Sequence, residues 1–187
     1  MEHIIAKILA GDINAFQHII TEYQRLVSHI VFRMIKKAAD REDISQEIFI
    51  KVYQNLSSFK FESKLSTWIA RIAYNQCLNY QDKKKVSLYD DLTPDEESFD
   101  KSSGENESPE ESTEQLDISN RVQVEIEKMP IQFRTILTLY HLDEMSYKEI
   151  AEIMEMPEGT VKSYLFRARK LLKRRLTANY TEEELWQ

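Results

Sequence analysis

Ser146-Tyr147-Lys148-Glu149-Ile150-Ala151, a break at Glu155-Met156-Pro157, and a run from Lys162 to Arg175 with seven basic residues and no acid decide the fold. Ser146 with Glu149 three positions on has the spacing of a capping box, in which each side chain satisfies the other residue's free amide. The helix it opens spans Tyr147 to about Met154 and should bury Ile150, Ala151 and Met154 or Ile153. After the break, Val161, Leu165, Ala168 and Leu172 form one narrow apolar stripe from about Pro157 to Arg175. Helix, tight break, basic helix is the helix-turn-helix plan, whose second helix enters the DNA major groove. Thr160, Lys162, Ser163, Phe166, Arg167 and Lys170 lie off that stripe. Lys and Arg can neutralise phosphates or read guanine edges, and Phe166 can touch a thymine methyl. Gly159 would let backbone approach a phosphate. The competing reading is a solvated basic helix that ends a bundle, with Gly159 merely tolerated in its first turn.

Working outward, only 3 Gly and 4 Pro in 187 residues argue against many turns and for long helices. The expected fold class is all-α, two small helical domains joined by a flexible acidic linker. A hydrophobic share of 42% can fill real cores. The single cysteine, Cys77, forms no internal disulfide and fits a reducing compartment. Met1 to Gly11 holds Glu2, Lys7 and no long apolar run, so neither a signal peptide nor membrane insertion is expected, and the expected location is cytoplasmic. The net charge of −7 is unevenly spread: Asp90 to Glu114 holds eleven acids and one base, which leaves the remainder at +3.

The first half shows three apolar periodicities. Asp12 to Lys37 reads as one helix capped by Asp12, with Phe16, Ile19, Tyr23, Val27, Ile30 and Met34 inward. A second runs from Asp40 to about Leu56 on Ile44, Ile48, Val52 and Leu56. A third runs from Ser63–Ser66 to about Gln81 on Leu65, Ile69, Ile72 and Cys77. The period vanishes between Ser87 and Ser119, where Ser, Glu and Asp dominate, so a disordered linker is expected there. It returns at 120. The expected domains are 1–86, a linker over 87–119, and 120–187.

Two faces of the first half point outward. Asp43, Gln46, Phe49 or Ile50, and Tyr53 share a side of the second helix away from its core stripe. An aromatic among acids suits a partner interface, whereas a solvated acidic first turn would explain only Asp40 to Asp43. Lys64, Trp68, Arg71, Asn75 and Asn79 fall on one face of the third helix. An aromatic, a guanidinium and amides there suit unpaired bases and their phosphates, although Trp68 alone fits a core equally well.

These segments resemble the sigma-70 family in its short extracytoplasmic-function form. Ser146 to Ala151 with Pro157 to Ser163 and Arg167 to Lys170 look like region 4, which reads the minus-35 promoter element. Asp40 to Phe49 resembles region 2.2, which docks on the β′ coiled coil of RNA polymerase. Phe59 to Asn75 looks like regions 2.3 and 2.4, which open and read the minus-10 element. The resemblance covers about Gly11 to Lys85 and Asn120 to Leu176. It implies core polymerase contacts at Asp43, Gln46, Glu47, Phe49 and Tyr53, minus-10 contacts at Lys60, Lys64, Trp68, Arg71, Asn75 and Asn79, and minus-35 contacts on the last helix. It also implies the β flap of core RNA polymerase and promoter DNA as partners, an anti-sigma factor that no residue here encodes, and a monomeric free chain. The linker is longer and more acidic than the family pattern. The resemblance implies that it lies in a basic polymerase channel; on composition alone it reads as a passive tether.

Two rival classes fit the residues less well. An enzyme is disfavoured: His3, His18, His29 and His141 lack metal-ligand spacing with each other or with Cys77, and three scattered glycines cannot cradle a phosphate. The expectation is no catalysis, no metal and no cofactor. A DNA-binding regulator that senses a ligand through its first domain would need a pocket where Asp40 to Asn75 instead offer two outward faces.

Overall fold

The computed structural model describes residues 1–90 and 118–180, with side chains described through 83 and again from 120. The described residues fold as helices throughout: α1 Glu2–Leu9, α2 Phe16–Met34, α3 Ala38–Asn55, α4 Leu65–Asp90, α5 Ile118–Glu127, α6 Ile131–His141, α7 Tyr147–Met154 and α8 Glu158–Asn179.

Helices α1 to α4 form the first unit. Its core follows the three expected stripes: Ile19, Val27, Ile30 and Met34 of α2, Ile44, Ile48 and Val52 of α3, and Leu65, Ile69 and Cys77 of α4 are buried, whereas Ile72, expected inward, is half-buried and Ala73 is buried beside it. The long first helix is corrected in one respect. Asp12 caps a 3-10 turn, Ile13–Ala15, accepting from the Ala15 amide at 3.3 Å, and α2 starts only at Phe16 and stops at Met34. Gly11, at φ +100°, makes the sharp turn between α1 and that cap, where a side chain would be strained. Helix α1 itself closes the core with Ile5 and Ile8. Helix α4 continues to Asp90, four residues past the expected domain end at 86. The expected disorder over the rest of 87–119 falls, up to residue 117, outside the described residues, as does the C-terminal segment from 181.

Helices α5 to α8 form the second unit around Ile136, Leu139, Ile150, Ile153, Val161, Leu165 and Ala168. The capping box is present: the Glu149 amide donates to Ser146 Oγ, and the Ser146 amide donates to Glu149 at 2.9 Å. Helix α7 ends on Glu155 in the left-handed conformation, φ 52°, and Pro157 precedes α8. Sequence reasoning missed the clasp that holds α5 on α8. Glu125 is fully buried and takes Lys128 at 2.8 Å and Arg175 at 2.9 Å. Burial alone would raise its carboxyl, but the hydrogen bonds and charges of Lys128 and Arg175 bring it below the ordinary value.

The two units pack on each other, α2 against α6 and α4 against α7.

Candidate nucleic-acid interface

Helix α8 carries the expected recognition face. Lys162, Ser163, Phe166, Arg167 and Lys170 are exposed and Thr160 is half-exposed, while Val161, Leu165 and Ala168 face inward. Phe166 is 67% exposed, so a large apolar ring stands in solvent with no internal packing role. A side-chain carbon added at Gly159 would meet open space, so no internal crowding calls for glycine there. The basic charges are not all unopposed, as their sequence had implied. Lys162 pairs with Glu158 at 3.0 Å and Arg175 is committed to Glu125. Arg167 lies over the rings of Phe133 and Tyr164, which fixes its stem on the surface. Arg169 sits over Tyr140 and contacts His141, so it joins α8 to α6. Burial and Arg169 together lower the His141 pKa below its ordinary value.

On α4, Asn79 is exposed and Arg71 and Asn75 half-exposed, and Lys60 and Lys64 are exposed in the loop before it. Trp68 departs from the outward reading. It is 8% exposed and packs on Phe59, with ring centroids 5.4 Å apart. Its own neighbours Leu65 and Ile69 carry the core stripe, and the helix turns Trp68 toward them. Phe61, at φ 59° and half-exposed against Phe59, is the aromatic that the loop presents to solvent. The sequence signal for it was weak, because a positive φ at Phe is not readable from composition.

On α3, Asp43, Gln46, Glu47 and Tyr53 are exposed. Phe49 is half-buried and packs against the core, and Ile50, 56% exposed, supplies the outward apolar surface in its place. Tyr53 leans edge-on against Phe16, and Glu47 accepts from Gln76 of α4 at 2.6 Å.

Glu149 is the most strongly perturbed carboxyl here. Burial would raise it, but hydrogen bonds from Ser146 and from Lys64, 2.9 Å away, with the charge of Lys64, take it to about 2. Its folded value lies below its ordinary 4.5, so the stabilisation is complete above that value and is lost as pH falls toward 2. Denaturant unfolding between pH 5 and 2.5 should show this. The wild-type chain is expected to lose on the order of 1–2 kcal/mol more than Glu149→Gln over that window. Parallel pH profiles for the two chains would contradict the assignment.

Fold and site together define a two-unit DNA-binding protein with a helix-turn-helix in its second unit. Comparison with known proteins narrows this. Residues 19–86 match the family described as Sigma-70 region 2, and residues 119–172 match Sigma-70, region 4. The ECF RNA polymerase sigma factor SigW of Bacillus subtilis (strain 168) is 35% identical over 176 residues, covering 92% of this chain and 94% of that one. The ECF RNA polymerase sigma-E factor of Escherichia coli (strain K12) is 36% identical over 174 residues, covering 90% of each. The sigma factor RpoE of Bartonella quintana, solved with the anti-sigma factor NepR, has the same fold: TM-score 0.69 at 19% identity, over 90% of this chain and all of that one. The chain belongs to the sigma-70 family, among its ECF sigma factors. It is a promoter-directing factor for transcription initiation with RNA polymerase.

Proposed function

We propose that three surfaces divide this work. The exposed α3 face, Asp43, Gln46, Glu47, Ile50 and Tyr53, docks on core polymerase. Lys60, Lys64, Arg71, Asn75 and Asn79 engage the minus-10 element. Thr160, Lys162, Ser163, Phe166, Arg167 and Lys170 engage the minus-35 element. The observation that carries the reading is Phe166, an exposed aromatic in the middle of a basic helix whose opposite side is core. Arg169, Lys173 and Arg174 lie further round α8, where they suit phosphates and the neighbouring helix. The domain limits on this reading are 1–90 for region 2 and 118–180 for region 4 within the described residues.

Footprinting of the holoenzyme tests the minus-35 surface. Phe166→Ala or Arg167→Ala should cost about 1–3 kcal/mol of promoter affinity and relax preference at one base position. Lys173→Ala should weaken all promoters alike and lower the salt dependence. Unchanged minus-35 protection and selectivity in Phe166→Ala and Arg167→Ala would contradict the placement.

An anti-sigma factor fits as a further partner. Between α2, α5, α6 and α8 lies an apolar cavity of about 620 Å³, with Arg33, His141, Arg169 and Lys173 on its walls. An acidic amphipathic segment matches its chemistry. Among the described residues no helix is long and apolar enough to cross a membrane, and none of their His, Cys, Asp and Glu side chains group to hold a metal ion.

A further inference from the structure

Beyond α8 the sequence runs on through Thr181-Glu182-Glu183-Glu184-Leu185-Trp186-Gln187, which none of the surfaces above uses. Three acids followed by a leucine and a tryptophan make an anionic segment with an apolar end. Helix α8 stops at Asn179, and Tyr180 is already extended at φ −136°, its amide donating to the Leu176 carbonyl at 2.9 Å. Arg121 of α5 lies over the Tyr180 ring, 5.7 Å from its centroid. Tyr180 is therefore held between α5 and α8, two of the helices that wall the apolar cavity of about 620 Å³.

The cavity has the complementary chemistry. Val122 and Ile126 of α5, Leu137 of α6, and Leu172 and Leu176 of α8 supply its apolar wall, and Leu142 on the same wall is left 43% exposed. Its volume lies within the range of about 300–1,000 Å³ that holds a ligand of several side chains. Arg33, Arg169 and Lys173 bring positive charge, and among the described residues no carboxylate lines the cavity. Arg33 is partly engaged, 4.0 Å from Glu127. Arg169 rests on Tyr140 and His141, and among the described residues neither it nor Lys173 pairs with a carboxylate.

Reach and register agree with this chemistry. Arg169, Lys173, Leu176 and Tyr180 follow one another at helical spacing, so they share one face of α8. From Tyr180 back to Arg169 is about 16 Å along the helix. The residues from Tyr180 to Trp186 reach about 20 Å when extended. A segment doubling back along that face brings its acids beside Lys173 and its Leu185 and Trp186 to the wall near Leu137 and Leu142.

We infer that residues 181–187 fold back into this cavity and occupy it in cis. The acids pair with Lys173 and Arg169, and Leu185 and Trp186 cover the apolar wall. The seated segment ties α5 and α6 to α8 beside the Glu125 clasp. It also takes the place that an acidic segment of an anti-sigma factor would fill, so such a partner must displace it first. The inference needs the cavity and not that partner.

Fluorescence quenching tests it on the full chain. The chain holds two tryptophans, and Trp186→Phe, which leaves Trp68 alone, gives the signal to subtract. Acrylamide, a neutral quencher, should quench Trp186 at least 3-fold less in the full chain than in a free peptide of residues 178–187. Leu176→Glu puts a carboxylate into the apolar wall and should raise quenching to the level of the peptide. If circular dichroism shows that this variant unfolds, Glu182→Lys with Glu183→Lys and Glu184→Lys leaves every described residue intact and should release Trp186 equally. Leu185→Ser with Trp186→Ser changes no charge and should bind anilinonaphthalene sulfonate, an anionic aromatic dye, at least 5-fold more tightly than wild type. Trp186 as open to quencher in the wild-type chain as in the peptide would overturn the inference. So would protection that survives the triple lysine change, because the segment would then sit elsewhere. Equal dye binding by the wild type and the double serine variant would leave the cavity to a partner's segment and overturn occupancy in cis.

Discussion

A chain carrying Asp43→Arg and Gln46→Ala is expected to lose about 2–5 kcal/mol of affinity for core RNA polymerase with its helical content intact. Both side chains are exposed on α3, and Gln46 makes only a long, exposed hydrogen bond to Glu42, 3.4 Å. The stripe that holds α3 in the core, Ile44, Ile48 and Val52, lies on the opposite side and is untouched. Reversing one charge and removing one amide therefore acts on the partner and not on the fold. The same face allows a sharper comparison. Ile50→Ala should weaken core binding with little change in melting temperature, because Ile50 is exposed. Phe49→Ala should lower stability instead, since that ring packs on the core. Anisotropy titration of labelled chain with core enzyme, beside far-UV circular dichroism, reads both. Wild-type affinity in the double variant would remove α3 as the docking face.

The second large effect is expected from Leu165→Ala. Leu165 is 1% exposed at the centre of the second unit. Emptying such a site costs about 2–5 kcal/mol. A unit of some sixty residues has roughly 3–9 kcal/mol to lose, so the second unit should be largely or wholly melted near body temperature. The first unit has its own core of α1 to α4 residues and should remain folded. Urea unfolding followed by circular dichroism is expected to split into two phases, and holoenzyme footprints to lose minus-35 protection while keeping minus-10 protection. A single cooperative transition with a full footprint would show that the two cores are not separable.

The sequence was most legible where periodicity and local chemistry agree. The stripes Ile44-Ile48-Val52 and Val161-Leu165-Ala168 are in the core, and the Ser146–Glu149 capping box closes as its spacing requires. Helix ends were less legible. Helix α4 runs on through a polar, charged stretch to Asp90, where an apolar period cannot show it. Outward and inward aromatics were hardest to separate. Trp68 and Phe49 sit at the borders of their apolar stripes, and only the positions of Phe59 and the first unit's other core side chains decide that they turn inward. Contacts between the units could not be read at all. His29 with Asp143, and Lys64 with Glu149, join residues 114 and 85 positions apart, and no local pattern links them. The candidate DNA face on α8 was legible because one helix carries all of it. The face on α4 was legible only in part, because the second unit covers some of it.

Cys77 sits in the middle of α4, fully buried, and burial pushes its thiol up to about 12. At neutral pH only about one such thiol in 10⁵ is ionised, and no reagent reaches it while α4 is packed. An oxidant or a thiol dye therefore modifies this residue only in molecules whose first unit has momentarily come apart. The labelling rate of the native chain, followed over hours in excess reagent, becomes a clock for those rare openings. It reports the survival time of the first unit without denaturant, and it can be read equally on the free chain and on the polymerase-bound one.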